Sequence, residues 1–284
     1  MKIPERFGEA FLDWFRIRTE EAWSSYQPRS FEDFVASRVG GLDWQQGTRW
    51  LSGLSEDEVD QVERQWALRF PADYRLFLRH LHAVDRPMRG ARYSEYVEGG
   101  EESHLVPWEC PSFYNWLTDT EELRAKFEWL VEGLEFDVEH DARWPASWGA
   151  KPETPDAQKG RVRELVAAAP RLIPVFAHRY LLAEPCQAGN PVLSVWQSDI
   201  IVYGADLRSY LLFEFADLLG LDREALMQER AATAPGNTTN YAEIPFWGEF
   251  LCGFASEYTQ TATGSPCPLK CDGPPQMNLR RAGE

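Results

Sequence analysis

The chain has 284 residues, 44% of them apolar and 13% aromatic, with twelve Trp and sixteen Phe, a make-up that collapses around a core rather than staying disordered. Its 45 acidic residues outweigh 29 basic ones, and the resulting formal charge of −16 repels phosphate backbones, which disfavours direct nucleic-acid binding. Five scattered Cys without a CxxC pair argue against a secreted disulfide framework. No apolar run approaches the ~18 residues of a membrane span and no signal-peptide h-region opens the chain, so a soluble, cytoplasmic protein without a membrane partner is expected.

In chain order, Phe11, Trp14 and Phe15 and then Phe31, Phe34 and Val35 show helical spacing, separated by the break Tyr26-Gln27-Pro28-Arg29. Ser55-Glu56-Asp57-Glu58 is a capping box and predicts a helix with Val59, Val62 and Trp66 on its buried stripe. Phe70-Pro71 then turns the chain into a second helix carrying Tyr74, Phe77, Leu78 and Leu81. A third helix is predicted over 117–134, capped by Asp119 or Thr120, apolar at Leu123, Phe127, Leu130, Val131 and Leu134, and ended by Gly133. A fourth fits 157–169, stopped by Pro170.

The period then changes. Phe176, His178, Tyr180 and Leu182 alternate as in a strand, and Gln197-Ser198-Asp199 reads as a hairpin turn between Val192–Trp196 and Ile200–Tyr203. Asp206 caps a further helix with Leu207, Tyr210, Leu211, Phe215 and Leu218, and a last helix fits Phe246, Phe250 and Phe254. Helices, antiparallel strands, then helices favour an α+β fold over a doubly wound sheet. Residues 259–284 concentrate Pro, Gly, Thr and Ser and are expected to be a disordered tail.

Several of these blocks carry a family resemblance. Gly53–Leu81, "GLSEDEVDQVERQWALRFPADYRLFLRHL", resembles the opening of the Smi/Knr-type domain of the SUKH superfamily. "PSFYNWL", "RWPASWGAKP", "APRLIPVFAHRYLLAEP", "GNPVLSVWQSDIIVYG" and "IPFWGEF" follow in order and are similar to a bacterial branch of that family. Together they cover most of residues 53–250; "LHAVDRP" after the second helix departs from the Gly turn usual there. The resemblance implies a small antiparallel sheet wrapped by helices. It divides the chain into a helical lead-in over 1–52 packed on the core, a Smi/Knr-type domain over 53–258 and the tail. It implies no enzyme: bacterial members are mostly inferred to be immunity proteins that block polymorphic toxins, often nucleases, and fungal members regulate cell-wall synthesis through protein contacts.

Charge suggests how such binding is achieved. Between Tyr93 and Asp141 fourteen acidic residues face only Arg124 and Lys126, a net of −12 in 49 residues. A local field of that sign attracts a basic partner, here a toxin domain, and lets carboxylates stand where a nuclease holds phosphates. Tyr93, Glu95, Tyr96, Glu98, Glu101 and Glu102 have the Tyr-and-acid composition of a contact surface. The bland reading is a solvated face, and it suits the helical part, Glu121–Glu139, better.

Trp144 and Trp148, with His178 and Arg179, are the candidates for a ligand groove; the alternative is that the tryptophans pack their loop on the core, as do Trp108, Trp116 and Trp129. No cofactor is expected, because neither a GxGxxG nor a Walker sequence occurs. No metal is expected either: His80 and His82 are two apart, Glu135, Asp137, Glu139 and Asp141 lack a calcium-loop Gly, and Cys267 and Cys271 lack companion ligands. Three functions stay open: toxin neutralisation by occlusion, a regulatory or scaffold adaptor, and a hydrolase using His178 with Ser194, Ser198 or Cys186 and Asp199. The hydrolase requires those side chains within about 3 Å of one another in an open pocket.

Overall fold

A computed structural model describes residues 2–94, 104–140, 144–232 and 241–251. The described chain runs α1 (Glu9–Ser24), α2 (Phe31–Ser37), β1 (Gly41–Asp43), α3 (Glu56–Trp66), α4 (Ala72–His80), β2 (Met88–Tyr93) and β3 (Leu105–Cys110). It continues through α5 (Thr120–Glu139), α6 (Pro155–Ala168), β4 (Leu172–Phe176), β5 (Arg179–Leu182), β6 (Val192–Trp196) and β7 (Asp199–Gly204), and ends with α7 (Leu207–Glu214), α8 (Ala216–Leu219), α9 (Arg223–Ala232) and α10 (Gly248–Leu251). The fold is α+β, with two small antiparallel sheets in the orders β1-β2-β3 and β4-β5-β6-β7.

Local chemistry explains the best-defined elements. Both bonds of the α3 capping box form: the Glu58 amide donates to Ser55 Oγ at 3.3 Å and the Ser55 amide to Glu58 Oε2 at 2.7 Å. Ala67, at φ 48°, ends α3 in the left-handed region. The corner that follows is held by Glu63, whose side chain is 4% exposed; it accepts the Phe70 amide at 2.7 Å and Arg75 Nη1 at 2.7 Å. Arg75 also pairs with Asp60 and Glu56, so one guanidinium ties α4 to the acidic face of α3. Asp206 caps α7 through the Ser209 amide at 2.7 Å, and Thr154 caps α6.

Three expectations are corrected. Gly133 does not end the third helix: α5 continues to Glu139, because the gap left by the missing side chain takes the backbone of the β6–β7 turn, where a Cβ would lie 3.0 Å from Gln197 Cα. Residues 176–182 are not one strand; Phe176 pairs with Arg179 across a turn at Ala177 and His178, with Ala177 at φ 50°. The first sheet is an addition to the expected strands. The last helix is the short α10, and Phe254, assigned to it from the sequence, lies outside the described residues, as do 259–284.

The β6–β7 hairpin stands where expected, with Trp196 paired to Asp199 and Gln197 at φ 55°. Alternation along this sheet divides two packed layers. Ile173, Val175, Leu181 and Val192 join the larger core; Leu172, Tyr180, Leu182, Leu193, Val195 and Ile200 pack with Leu130, Leu134, Val138, Val162, Trp247 and Phe250 on the other side. The larger core centres on aromatic rings distant in sequence: Phe215 lies 5.0 Å from Phe15, 5.5 Å from Trp44 and 5.9 Å from Phe113. Among the described residues no helix is long and apolar enough to cross a membrane.

Candidate protein-binding surface

The first sheet ends where β2 and β3 pair for the last time. Tyr93 pairs with Leu105, and the Ser94 amide donates to the His104 carbonyl at 2.7 Å. Residues 95–103 connect these strands, so Glu95, Tyr96, Glu98, Glu101 and Glu102 lie outside the described residues. The base of that connection is described. α2 stops at Arg38, whose φ of 52° turns the chain back, and the Tyr93 hydroxyl donates to the Arg38 carbonyl at 2.8 Å. Val35, Val39 and Tyr93 are 46%, 44% and 41% exposed; Val39 follows Arg38, which the Tyr93 hydroxyl meets, and Val35 lies on α2, which packs against β2. Arg29 anchors this end of the fold by holding both oxygens of Asp43, at 2.7 to 3.0 Å, with its guanidinium 4.1 Å from the Phe34 ring.

The structure sorts the acidity of α5 into two kinds. Glu135 pairs with Arg163 at 2.6 Å, Glu139 pairs with Lys159 at 2.8 Å, and Asp137 accepts the Ser198 amide of the β6–β7 turn at 2.8 Å. These three fasten α5 to α6 and to the second sheet. Lys159 holds the Glu139 carboxyl below its ordinary range. Glu122, Glu128 and Glu132 are exposed and pair with no basic side chain among the described residues, and exposed Glu121 meets Arg124 at 3.0 Å on its own helix. The negative surface is therefore narrower than the count of acidic letters, and Asp141 lies outside the described residues.

The four groove candidates divide into two sets of contacts. Trp148 is 3% exposed and packs 5.8 Å from Phe246, with Trp144 edge-on at 5.4 Å; the Trp144 indole donates to the Gly149 carbonyl at 2.9 Å. These tryptophans join the smaller core. His178 instead meets Trp196 edge-on at 6.0 Å, and Arg179 lies 3.7 Å over the Tyr203 ring. Arg179 Nε donates to Glu214 Oε2 at 3.1 Å in a pair whose side chains are 8% and 3% exposed.

The same guanidinium occupies the place a catalytic base needs. Arg179 Nη1 contacts His178 Nε2 and donates to Ser194 Oγ at 2.8 Å, so the imidazole lone pair faces a cation that only donates, and its proton sits on Nδ1. Nδ1 is buried without a partner among the described residues. Burial, then Arg179 and Lys126, hold His178 well below its ordinary pKa. The arrangement orients Arg179 and does not activate Ser194. Cys186 is exposed and its thiol donates to the Phe70 carbonyl at 3.4 Å, while Asp199 sits in the hairpin pair with Trp196. Among the described residues no group of three or more His, Cys, Asp or Glu is placed to hold a metal.

Sequence reading missed Val35 and Val39 as surface residues, since Val35 falls on the same helical spacing as Phe31 and Phe34. Comparison of the chain with protein-family models, with curated proteins and with solved structures gives no match.

Proposed function

We propose that this chain is a non-enzymatic binding module of the SUKH kind, an immunity protein that neutralises a basic toxin domain, such as a nuclease, by covering it. The reading is supported by exposed Tyr93, held to the Arg38 carbonyl next to exposed Val39 and directly preceding the acidic segment Glu95–Glu102 in the sequence. Apolar anchors beside like-signed charges are what a fast, electrostatically steered interface needs: the charges speed encounter and the anchors slow release. A cytoplasmic location and the Smi/Knr-type division of the chain belong to the same proposal.

The test is surface plasmon resonance against the basic domain recovered with this chain, one-to-one, from co-expressed neighbouring genes. Glu98→Lys with Glu101→Lys is expected to slow association roughly tenfold at low salt, and Tyr93→Ala to speed dissociation with association unchanged. An association rate that ignores both the double substitution and added salt overturns the docking surface. Capture of several unrelated cellular proteins in place of one basic domain favours an adaptor.

A further inference from the structure

β3 is an edge strand. The first sheet is ordered β1-β2-β3, so β3 pairs on one side only, and among the described residues neither a strand nor an isolated bridge reaches its other side. Which backbone groups face that open side follows from the register. The Ser94 amide donates to the carbonyl of His104, its directly opposite residue when the β2–β3 register is continued by one step, so the two form a hydrogen-bonded pair. Such pairs alternate along an antiparallel ladder. Val106 with Arg92, Trp108 with Gly90 and Cys110 with Met88 therefore turn their backbone groups toward β2, whereas Leu105, Pro107 and Glu109 turn theirs outward. Among the described residues the amides of Leu105 and Glu109 donate to no group outside the ladder. Between them, exposed at the middle of the row, stands a residue that has no amide to offer. A proline at 106 or 108 would remove a bond to β2; at 107 it leaves the sheet intact. Other protections of an edge are missing from β3: it carries no Lys or Arg, its register does not shift, and its one acid, Glu109, is paired with Arg89.

We infer that Pro107 is a guard that keeps the open edge of β3 from pairing with β3 of a second copy of this chain. Two copies about a two-fold axis would set β3 antiparallel to itself, Pro107 opposite Pro107 and Leu105 opposite Glu109, and so extend the sheet across both molecules. With proline at its centre that ladder loses both central bonds. Shifted registers set Pro107 against Leu105 or Glu109 and lose a bond at each such pair. The apolar Leu105, Val106 and Trp108, each half-buried, would otherwise suit a strand that continues the sheet. The toxin-binding reading plays no part in this inference, and either stands if the other fails.

The experiment compares the full chain with Pro107→Val by light scattering over a concentration series. Salt of about 0.3 M screens the net charge of −16, and amide hydrogen exchange is followed in both proteins. Pro107→Val is expected to self-associate roughly tenfold more strongly than the wild type, the worth of a regained pair of backbone bonds, with the Leu105 and Glu109 amides newly protected. Adding Glu109→Pro to Pro107→Val is expected to undo the association, because position 109 also faces outward and a proline there spares the ladder to β2. Pro107→Ala restores the amide with the least added bulk and is the second variant if Val disturbs the strand. Masses equal to wild type at every concentration in both single variants, or association without protection at Leu105 and Glu109, overturn the proposal.

Discussion

Replacing His82 by Gln is expected to flatten the acid limb of the stability curve. His82 is 3% exposed, at φ 60°, and its Nε2 accepts the Trp116 amide at 3.1 Å. Burial pushes its pKa down to about 4, against the pull of Asp119 and Glu58. The unfolded chain protonates this imidazole near its ordinary value of 6.5, and the folded chain only near 4. Between those values the unfolded state binds more protons, so stability rises with pH across the window and is lost as pH falls through it. A shift of that size is worth about 3 kcal/mol in full, and about 2 kcal/mol of it falls between about pH 7 and about pH 5. Gln Oε1 reaches where Nε2 does and accepts the same amide without titrating. Urea unfolding of both proteins at several pH values across this span isolates the term, because His178 and the carboxylates contribute to both curves alike. Wild type should lose about 2 kcal/mol more than the variant over that span. Parallel curves refute the buried neutral imidazole.

Glu63→Gln is expected to cost about 2 kcal/mol in urea unfolding, since it removes a buried charge that serves both the Phe70 amide and Arg75; a change below about 0.5 kcal/mol refutes the corner's dependence on it. Two helix glycines should respond oppositely. Gly160→Ala, in α6 with nothing within 4 Å of the new methyl, should stabilise by about 0.5–1 kcal/mol, while Gly133→Ala, 3.0 Å from Gln197 Cα, should destabilise despite the same gain in helix propensity. Thermal melts of the pair decide it, and equal signs refute the close approach.

Much of the helical scaffold was legible because its signals are local. Ser55 and Glu58 announce a start that depends on four consecutive residues, and Asp206 and Ser209 do the same for α7. The β6–β7 hairpin was legible because its arms are dense in branched and aromatic residues. The first sheet was not: β1 has three residues, β3 carries Pro107 in its middle, and β2 is half-exposed, so none shows the alternation of a strand buried on one face. The β4–β5 turn lacks Gly, Asn or Pro; Ala177 takes the left-handed conformation because the strands on either side pair, a tertiary cause invisible in the dipeptide. Of the candidate surface, composition marked Tyr93, which is exposed, together with Glu95–Glu102, which lie outside the described residues. Which carboxylates of α5 remain open was not legible, since Lys159, Arg163 and Ser198 approach from other elements.

The rings around Phe215 also bear on how the protein is made. Phe15 and Trp23 come to rest against a residue that a ribosome adds about 200 positions later, which at roughly 5–20 residues per second is a delay of about 10–40 s. During that interval Phe15 and Trp23 can already meet Trp44 and Trp50, but the apolar stripe of α1 still lacks the ring that completes its packing. The first helix of a nascent chain should therefore stay open to a hydrophobic-binding chaperone, though less so once Trp50 has emerged, and be fully covered only after Phe215 has cleared the exit tunnel.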